Sequence, residues 1–241
     1  MISYIPVFPV IHPKKDKLRL VFDSSAIYNG ISLNDCLLQG PDEANRIVGV
    51  LLRFRHAEVG FAADIECMFH AFFVPPNQRD VLRFYWWKDN RPSDQLVEYR
   101  ANVHIFGNKC SPAIATFGLR FTTTHPTALT RTAASSFIKE NFYVDDGMSS
   151  TETPEEAVKI LSDTRAILSA YNIRLHKIVA THQEVLNAFP ASEIAQGLDS
   201  VDLSKSPTQG ALGISWKVSS DEFSVRCSVP KRSFTLSLIH I

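Results

Sequence analysis

A chain of 241 residues, 45% of them hydrophobic and 21% charged, is long enough to bury a real core and is not a solvated tail. Lys plus Arg and Asp plus Glu both number 25, so the net charge is zero and no chain-wide basic field marks a polyanionic partner, although a local basic patch would escape the sum. The four cysteines, Cys36, Cys67, Cys110 and Cys227, lie far apart with no Cys-x-x-Cys pair, which argues against a zinc knuckle or a disulfide framework and for a reducing, intracellular setting.

The opening "MISYIPVFPVIHP" is apolar, but Pro6, Pro9 and Pro13 interrupt it and no basic region precedes it, so it does not read as a secretion signal. No run reaches the roughly 18 apolar residues that a membrane helix needs. After the basic turn-like "HPKKDK", Leu18 to Ala26 alternates as a strand, and Asn34 to Gly40 reads as a loop. Pro41 to His56 suits a helix, with Pro41 near its first turn and acids early. Glu58 to Ile65 is a buried strand ending at Asp64. Val81 to Trp87 and Leu96 to Val103 form strands joined by a "KDNRPSD" turn.

Ser111 to about Thr124 opens with proline and predicts a helix. Phe137 to Tyr143 reads as an apolar, strand-like run into Asp145 and Asp146, with Asp146-Gly147 as the hairpin turn. Thr153, Pro154 and Glu156 mark a helix start, with Ala157, Leu161, Thr164, Leu168 and Tyr171 on one face and an end near Asn172. Gly210 to Trp216 and Phe223 to Val229 read as short strands. No internal repeat is visible, and the chain reads as one compact unit of two lobes.

Three acids carry the chemistry. Successive side chains at a hairpin tip point to opposite faces, so only one of Asp145 and Asp146 can aim squarely at a given point. Asp64, ending an apolar strand, is costly unless solvated, paired or bound to a cation. If the two segments adjoin, a divalent ion between the carboxylates keeps both ionised. Oxygen-only ligands favour magnesium shared with substrate phosphates, and a pair of such ions about 4 Å apart serves in-line phosphoryl displacement. Taken alone, Asp-Asp-Gly also fits a solvated turn, and Asp64 a strand-end ion pair.

Further matches in order decide between these readings. Tyr143-Val144-Asp145-Asp146 resembles the Tyr-x-Asp-Asp box of reverse transcriptases. "FAADIECMF" resembles their first catalytic motif, with Phe69 at the place of the aromatic gate. "FGNKCSP" (Phe106 to Pro112), "LHK" (Leu175 to Lys177) and "LGISW" (Leu212 to Trp216) resemble the boxes that flank the catalytic hairpin. The wording "VFDSSA", "LNDCLLQGPD", "ADIECMF", "LRFYWW" and "YVDD" is most similar to the Pao (BEL) class of long-terminal-repeat retrotransposons, over roughly residues 4 to 229.

The resemblance implies an α+β fold: a right-hand polymerase palm with an antiparallel sheet flanked by helices, plus fingers, with the thumb largely absent. Fingers would lie mainly in 1–56 and 74–105, palm mainly in 57–73 and 106–216, with an irregular tail at 230–241. It implies an RNA-directed DNA polymerase joining a deoxynucleoside triphosphate to a primer 3′-hydroxyl. Asp64, Asp145 and Asp146 would hold two Mg2+ ions, for which Mn2+ can substitute, with Asp146 assisting more loosely. Lys177 would protonate departing pyrophosphate, although Asn172-Ile173 and Ile178 stand where the family has Gly-Phe and Trp.

Phe69 would exclude the 2′-hydroxyl of a ribonucleotide. Lys14, Lys15, Lys17 and Arg19 would clamp the triphosphate, Arg19 foremost. Phe106 stands where retroviral relatives carry glutamine, while Gly107, Ser111 and Pro112 fit backbone approach to the nucleotide. Leu212, Gly213 and Trp216 would grip the primer. Partners implied are an RNA or DNA template, a DNA or tRNA primer and dNTP, with no membrane. The setting would be cytoplasmic, including virus-like particles. The chain ends 25 residues after Trp216, too few for a thumb, so a fragment is expected, without the protease, ribonuclease H and integrase of its parent element. The competing expectation is an inactive relict that still binds nucleic acid.

Overall fold

A computed structural model describes residues 2–11, 18–195, 200–202 and 214–225. In chain order these form β1 (Val7–Ile11), β2 (Leu18–Phe22), α1 (Leu33–Cys36), α2 (Ile47–Phe54), β3 (Val59–Ile65), β4 (Arg83–Trp87), β5 (Leu96–Arg100), α3 (Ser111–Phe121), α4 (Pro126–Leu129), α5 (Thr132–Glu140), β6 (Phe142–Tyr143), β7 (Asp146–Thr151), α6 (Pro154–Ser169), β8 (Leu175–Ala180), α7 (Gln183–Asn187), β9 (Ser200–Asp202), β10 (Ile214–Lys217) and β11 (Glu222–Val225). Short 3-10 turns span Met68–Ala71 and Pro76–Leu82. The chain divides into two compact units, Met1–Ile194 and Ala195–Ile241.

The first unit is built on an antiparallel four-stranded sheet of order β6-β7-β3-β8. Its central strand β3 is buried along both faces apart from Asp64. Phe61, Ala63 and Ile65 face a core completed by Leu119 of α3, Phe137 and Ile138 of α5, Leu161, Ile167 and Leu168 of α6 and Val185 of α7. By the two-residue alternation of a strand, Gly60, Ala62 and Asp64 face the other way. There Phe54 of α2 lies 3.5 Å from where a Gly60 Cβ would stand. Two further hairpins, β1–β2 and β4–β5, are joined by a Tyr4–Arg83 bridge, a Tyr4–Tyr85 stack and a Phe22–Phe84 edge contact. A smaller core of Ile5, Leu33, Val74, Leu82 and Ile105 lies between these hairpins and α1.

The second unit shows an antiparallel sheet of order β11-β10-β9. Trp216 is buried there and its Nε1–H donates to Asp221 Oδ1 at 2.9 Å.

Several elements differ from expectation. Pro41 to Arg46 is not helical, because it serves as a strap. Asn45 Nδ2 donates to the carbonyls of Lys139 and Phe142 (3.0 and 2.8 Å), and Arg120 holds Asn45 Oδ1 and Glu43. The segment expected as a loop opens with α1, closed by a capping box between Ser32 and Asp35. Phe137 to Glu140 is the end of a helix, since Ala134, Phe137 and Ile138 recur at helical spacing and bury together. The β6–β7 hairpin turns at Val144-Asp145, two positions before the expected Asp146-Gly147. Gly147 lies within β7, where an added Cβ would meet the Phe142 ring at 2.6 Å, so close packing explains this glycine.

As expected, Thr153 caps α6 by accepting from the Glu156 N–H, and Ala157, Leu161, Thr164 and Leu168 are buried. The helix stops at Ser169, so Tyr171 lies beyond it. Among the described residues no helix is long and apolar enough to cross a membrane.

His104 is buried, its backbone N–H bonded to the Phe72 carbonyl at 2.9 Å and its Nδ1 without a hydrogen-bond partner. Burial pushes its pKa below the ordinary value of 6.5. The folded state therefore favours neutral His104. Its contribution is complete above the unfolded value and is lost as pH falls below it. Thermal melts between pH 7.5 and 5 should show a falling midpoint in the parent chain and a shallower fall in His104→Leu.

Candidate functional site

The β3–β7 register sets Asp64 directly across from Asp146, on the same face of the sheet. The next pair back on that face is Ala62 and Met148. Asp145 sits in the turn between β6 and β7, and its carbonyl accepts the Ile65 N–H at 2.9 Å. Two carboxylates directly opposite across a ladder repel, so the pair destabilises this end of the sheet unless a cation is near.

A cation is near. The Lys177 ammonium of β8 donates to Asp64 Oδ2, and His176 Nε2 stands 3.5 Å from Oδ1. Adjacent strand residues ordinarily point to opposite faces, yet both of these reach one carboxylate. The reason is a bulge. Ala62 pairs with Val179 and Asp64 with His176, so β8 carries one more residue than β3 between the two pairs. Lys177 takes the extra position, at φ 50°.

Two other non-glycine residues beside this sheet end also lie in the left-handed region, Cys67 at φ 50° after β3 and Val144 at φ 58° in the hairpin turn. Such conformations cost about 1–3 kcal/mol each and persist where the surroundings over-determine them. Val144 also packs against the main core, which holds it in place.

The residues expected around an incoming nucleotide form a second cluster. The Phe69 ring meets the Phe106 ring edge-on at a centroid distance of 5.4 Å, with Phe69 also packed on the core and Phe106 exposed. Gly107 has φ 109°, and a Cβ there would stand 2.5 Å from the Phe22 carbonyl oxygen. That close approach is one of a set. Asn34 Nδ2 donates to the Gly107 carbonyl at 3.0 Å while its Oδ1 accepts the Lys109 N–H at 2.9 Å, and Ser24 donates to Asn108 Oδ1 at 2.6 Å. Ser111 is buried and donates to the Ile105 carbonyl at 2.9 Å, so its hydroxyl braces the start of α3. Beside it, burial raises the pKa of the Cys110 thiol.

Arg19 is exposed on β2, opposite Val10 and outside the four-stranded sheet. Lys14, Lys15, Lys17, Leu212 and Gly213 lie outside the described residues. Trp216 is on β10 in the second unit. Sequence reasoning missed His176, Asn34, Asn108 and Ser24. Asn34 and Ser24 sit inside segments whose wording carries the resemblance but no role, and Asn108 inside the Phe106–Pro112 box, where only its neighbours had one. His176 had a local signal in the odd spacing of Leu175 and Ile178, which breaks strand alternation.

Among the described residues no group of three or more His, Cys, Asp or Glu side chains converges as a ready-made metal cage. The donors at the sheet end are carboxylate oxygens, one of which already carries an ammonium. That chemistry fits a hard divalent ion that takes its remaining ligands from water and substrate phosphate.

The fold is that of a reverse transcriptase. Similar solved structures are the foamy viral protease-reverse transcriptase bound to double-stranded DNA, with a TM-score of 0.55 and 20% identity over 73% of this chain and 27% of that chain, and the same enzyme bound to an RNA/DNA hybrid, with a TM-score of 0.55 and 20% identity over 94% of this chain and 24% of that chain. The native Prototype Foamy Virus protein gives a TM-score of 0.54 and 20% identity over 84% and 22%. The chain thus spans about a quarter of the length of these neighbours. No family model and no curated protein matches its sequence.

Alanine at position 107 would need both a conformation reserved to glycine and room already taken by the Phe22 carbonyl. Urea unfolding of Gly107→Ala should show a loss of about 1–3 kcal/mol, the range for an imposed backbone outlier.

Proposed function

We propose that this chain is the fingers and palm of an RNA-directed DNA polymerase from a retrotransposon polyprotein of the Pao (BEL) class. The observation that carries the reading is the sheet end where Asp64 stands across from Asp146, beside Asp145. The reverse-transcriptase fold supports it, as do the left-handed residues around those acids. In this reading the four-stranded sheet with α3, α5 and α6 is the palm, and the β1–β2 and β4–β5 hairpins belong to the fingers.

Asp64, Asp145 and Asp146 would hold two Mg2+ ions, or Mn2+ in their place. Bound there, the ions would activate the primer 3′-hydroxyl and stabilise the pyrophosphate as it leaves. The chain's own groups do the rest. Phe69, wedged between the core and Phe106, presents a ring that excludes a 2′-hydroxyl and so selects deoxynucleotides. Gly107, clasped through Asn34, offers a backbone edge that a nucleotide can approach closely. Arg19, with Lys15 and Lys17, binds the triphosphate, and Lys177 delivers a proton to the departing pyrophosphate. Leu212, Gly213 and Trp216 steady the primer. Template, primer and dNTP are therefore the partners, in the cytoplasm or in particles assembled there.

An inactive nucleic-acid-binding relict is the second reading. The Lys177 ammonium favours it by occupying an oxygen of Asp64 that a metal would need.

Single-nucleotide extension of a DNA primer on an RNA template separates the two. The parent chain should add one deoxynucleotide in Mg2+ and make few long products. Asp64→Asn and Asp145→Asn should each lower that addition at least about a hundredfold, beyond the usual effect of losing an outer partner of a metal site, with unchanged thermal melting. Binding without incorporation, even in the longer polyprotein restored from its element, would establish the relict.

A further inference from the structure

Deepening that reading of the same site, we propose that His176 is a positioning residue for Asp64: its Nε2–H holds Oδ1 while Oδ2 passes from the Lys177 ammonium to a divalent cation. The inference rests on the metal-binding reading above and on three observations independent of it.

The first is the bulge. Leu175, Ile178 and Ala180 of β8 all face the main core, and a regular strand could not place residues 175 and 178 on one face. The extra residue resets the alternation, turning both His176 and Lys177 away from that core and toward one carboxylate. The second is the state of the imidazole. Only 14% of the His176 side chain is exposed, and Nε2 is buried without a hydrogen-bond partner. A buried ring nitrogen 3.5 Å from Oδ1 is short of a good hydrogen bond, yet within a small turn of the carboxylate from making one.

The third is the division of labour between the two oxygens. Lys177 is 54% exposed at the end of a flexible stem, so its ammonium can leave Oδ2 for solvent or for a phosphate. His176, only 14% exposed on a shorter and stiffer side chain, has less freedom to leave. With the ammonium gone, the carboxylate can rotate onto Nε2–H, leaving Oδ2 directed at the incoming ion. Carboxylate ligands braced this way hold metal more tightly than unbraced ones. A histidine that merely filled space would alter stability and leave metal affinity alone.

The test is Mn2+ binding to the whole chain without nucleic acid or nucleotide, followed by the electron paramagnetic resonance signal of free Mn2+. His176→Leu should weaken binding about 10–100-fold, the range for loss of such a brace. His176→Gln, whose Nε2 falls near that of the imidazole, should stay within about threefold of the parent, whereas His176→Asn, with its donor set too close to the backbone, should behave like His176→Leu. Lys177→Met should bind at least as tightly as the parent, because a competitor for Oδ2 has gone. Thermal melts run alongside, and if His176→Leu does not fold, the Gln and Asn comparison carries the test. Equal affinity in the Gln and Asn variants, or weaker binding in Lys177→Met, overturns the inference. Parent-like binding by Asp64→Asn would instead overturn the metal reading itself, so the two failures are distinguishable.

Discussion

Two like charges facing each other across β3 and β7 are the constraint around which the first unit is organised. Asp64 interrupts a strand that is otherwise buried, and its cross-strand partner is another aspartate. Repulsion at about 5 Å across a ladder opposes the pairing that the rest of the sheet needs. The sheet holds because its opposite face is deeply packed: Phe61, Ala63 and Ile65 meet α3, α5 and α6 in the main core. Asp64 and Asp146 thus sit on the face turned away from that core, beside a lysine.

The cluster around Gly107 obeys a related logic. Phe106 to Lys109 is an irregular loop, and loops hold position only if their backbone groups find fixed partners. Here the partners come from far away in sequence. Phe22 packs its carbonyl against Gly107, Asn34 bonds both sides of the loop, and Ser24 bonds Asn108. Since Phe69 leads from β3 and leans on Phe106, the loop and the acid-bearing strand are positioned by one continuous set of contacts. "VFDSSA" and "LNDCLLQGPD" therefore have a physical use without touching any acid: they hold the loop.

What was legible in the sequence was whatever depended on local pattern or on residue type at a strand end. The apolar run to Asp64, the capped start of α6 at Thr153 and the proline-led α3 needed no tertiary information. Pro41 to Arg46 was misread because helix-start signals are local, whereas the bonds from Asn45 to Lys139 and Phe142 that hold it extended are tertiary. Phe137 to Glu140 was misread because a short apolar run has no clear period of its own. In the candidate site, residue identities were legible but registers were not. Nothing local states that Asp146, rather than Asp145, lies opposite Asp64, or that the hairpin turns at a valine held at positive φ.

The bulge in β8 shows why such a register is hard to read and hard to lose. A strand slipped by one residue exchanges its two faces, so either Leu175 or Ile178 would leave the core if Lys177 did not occupy an extra position. Core burial on both sides of the bulge therefore enforces the left-handed backbone at Lys177, an arrangement that the lysine itself disfavours. The same burial carries His176 and Lys177 to the same carboxylate. The placement of charge around Asp64 is in this sense a consequence of where Leu175, Ile178 and Ala180 must go, and the geometry at the acids is secured by apolar residues that never touch them.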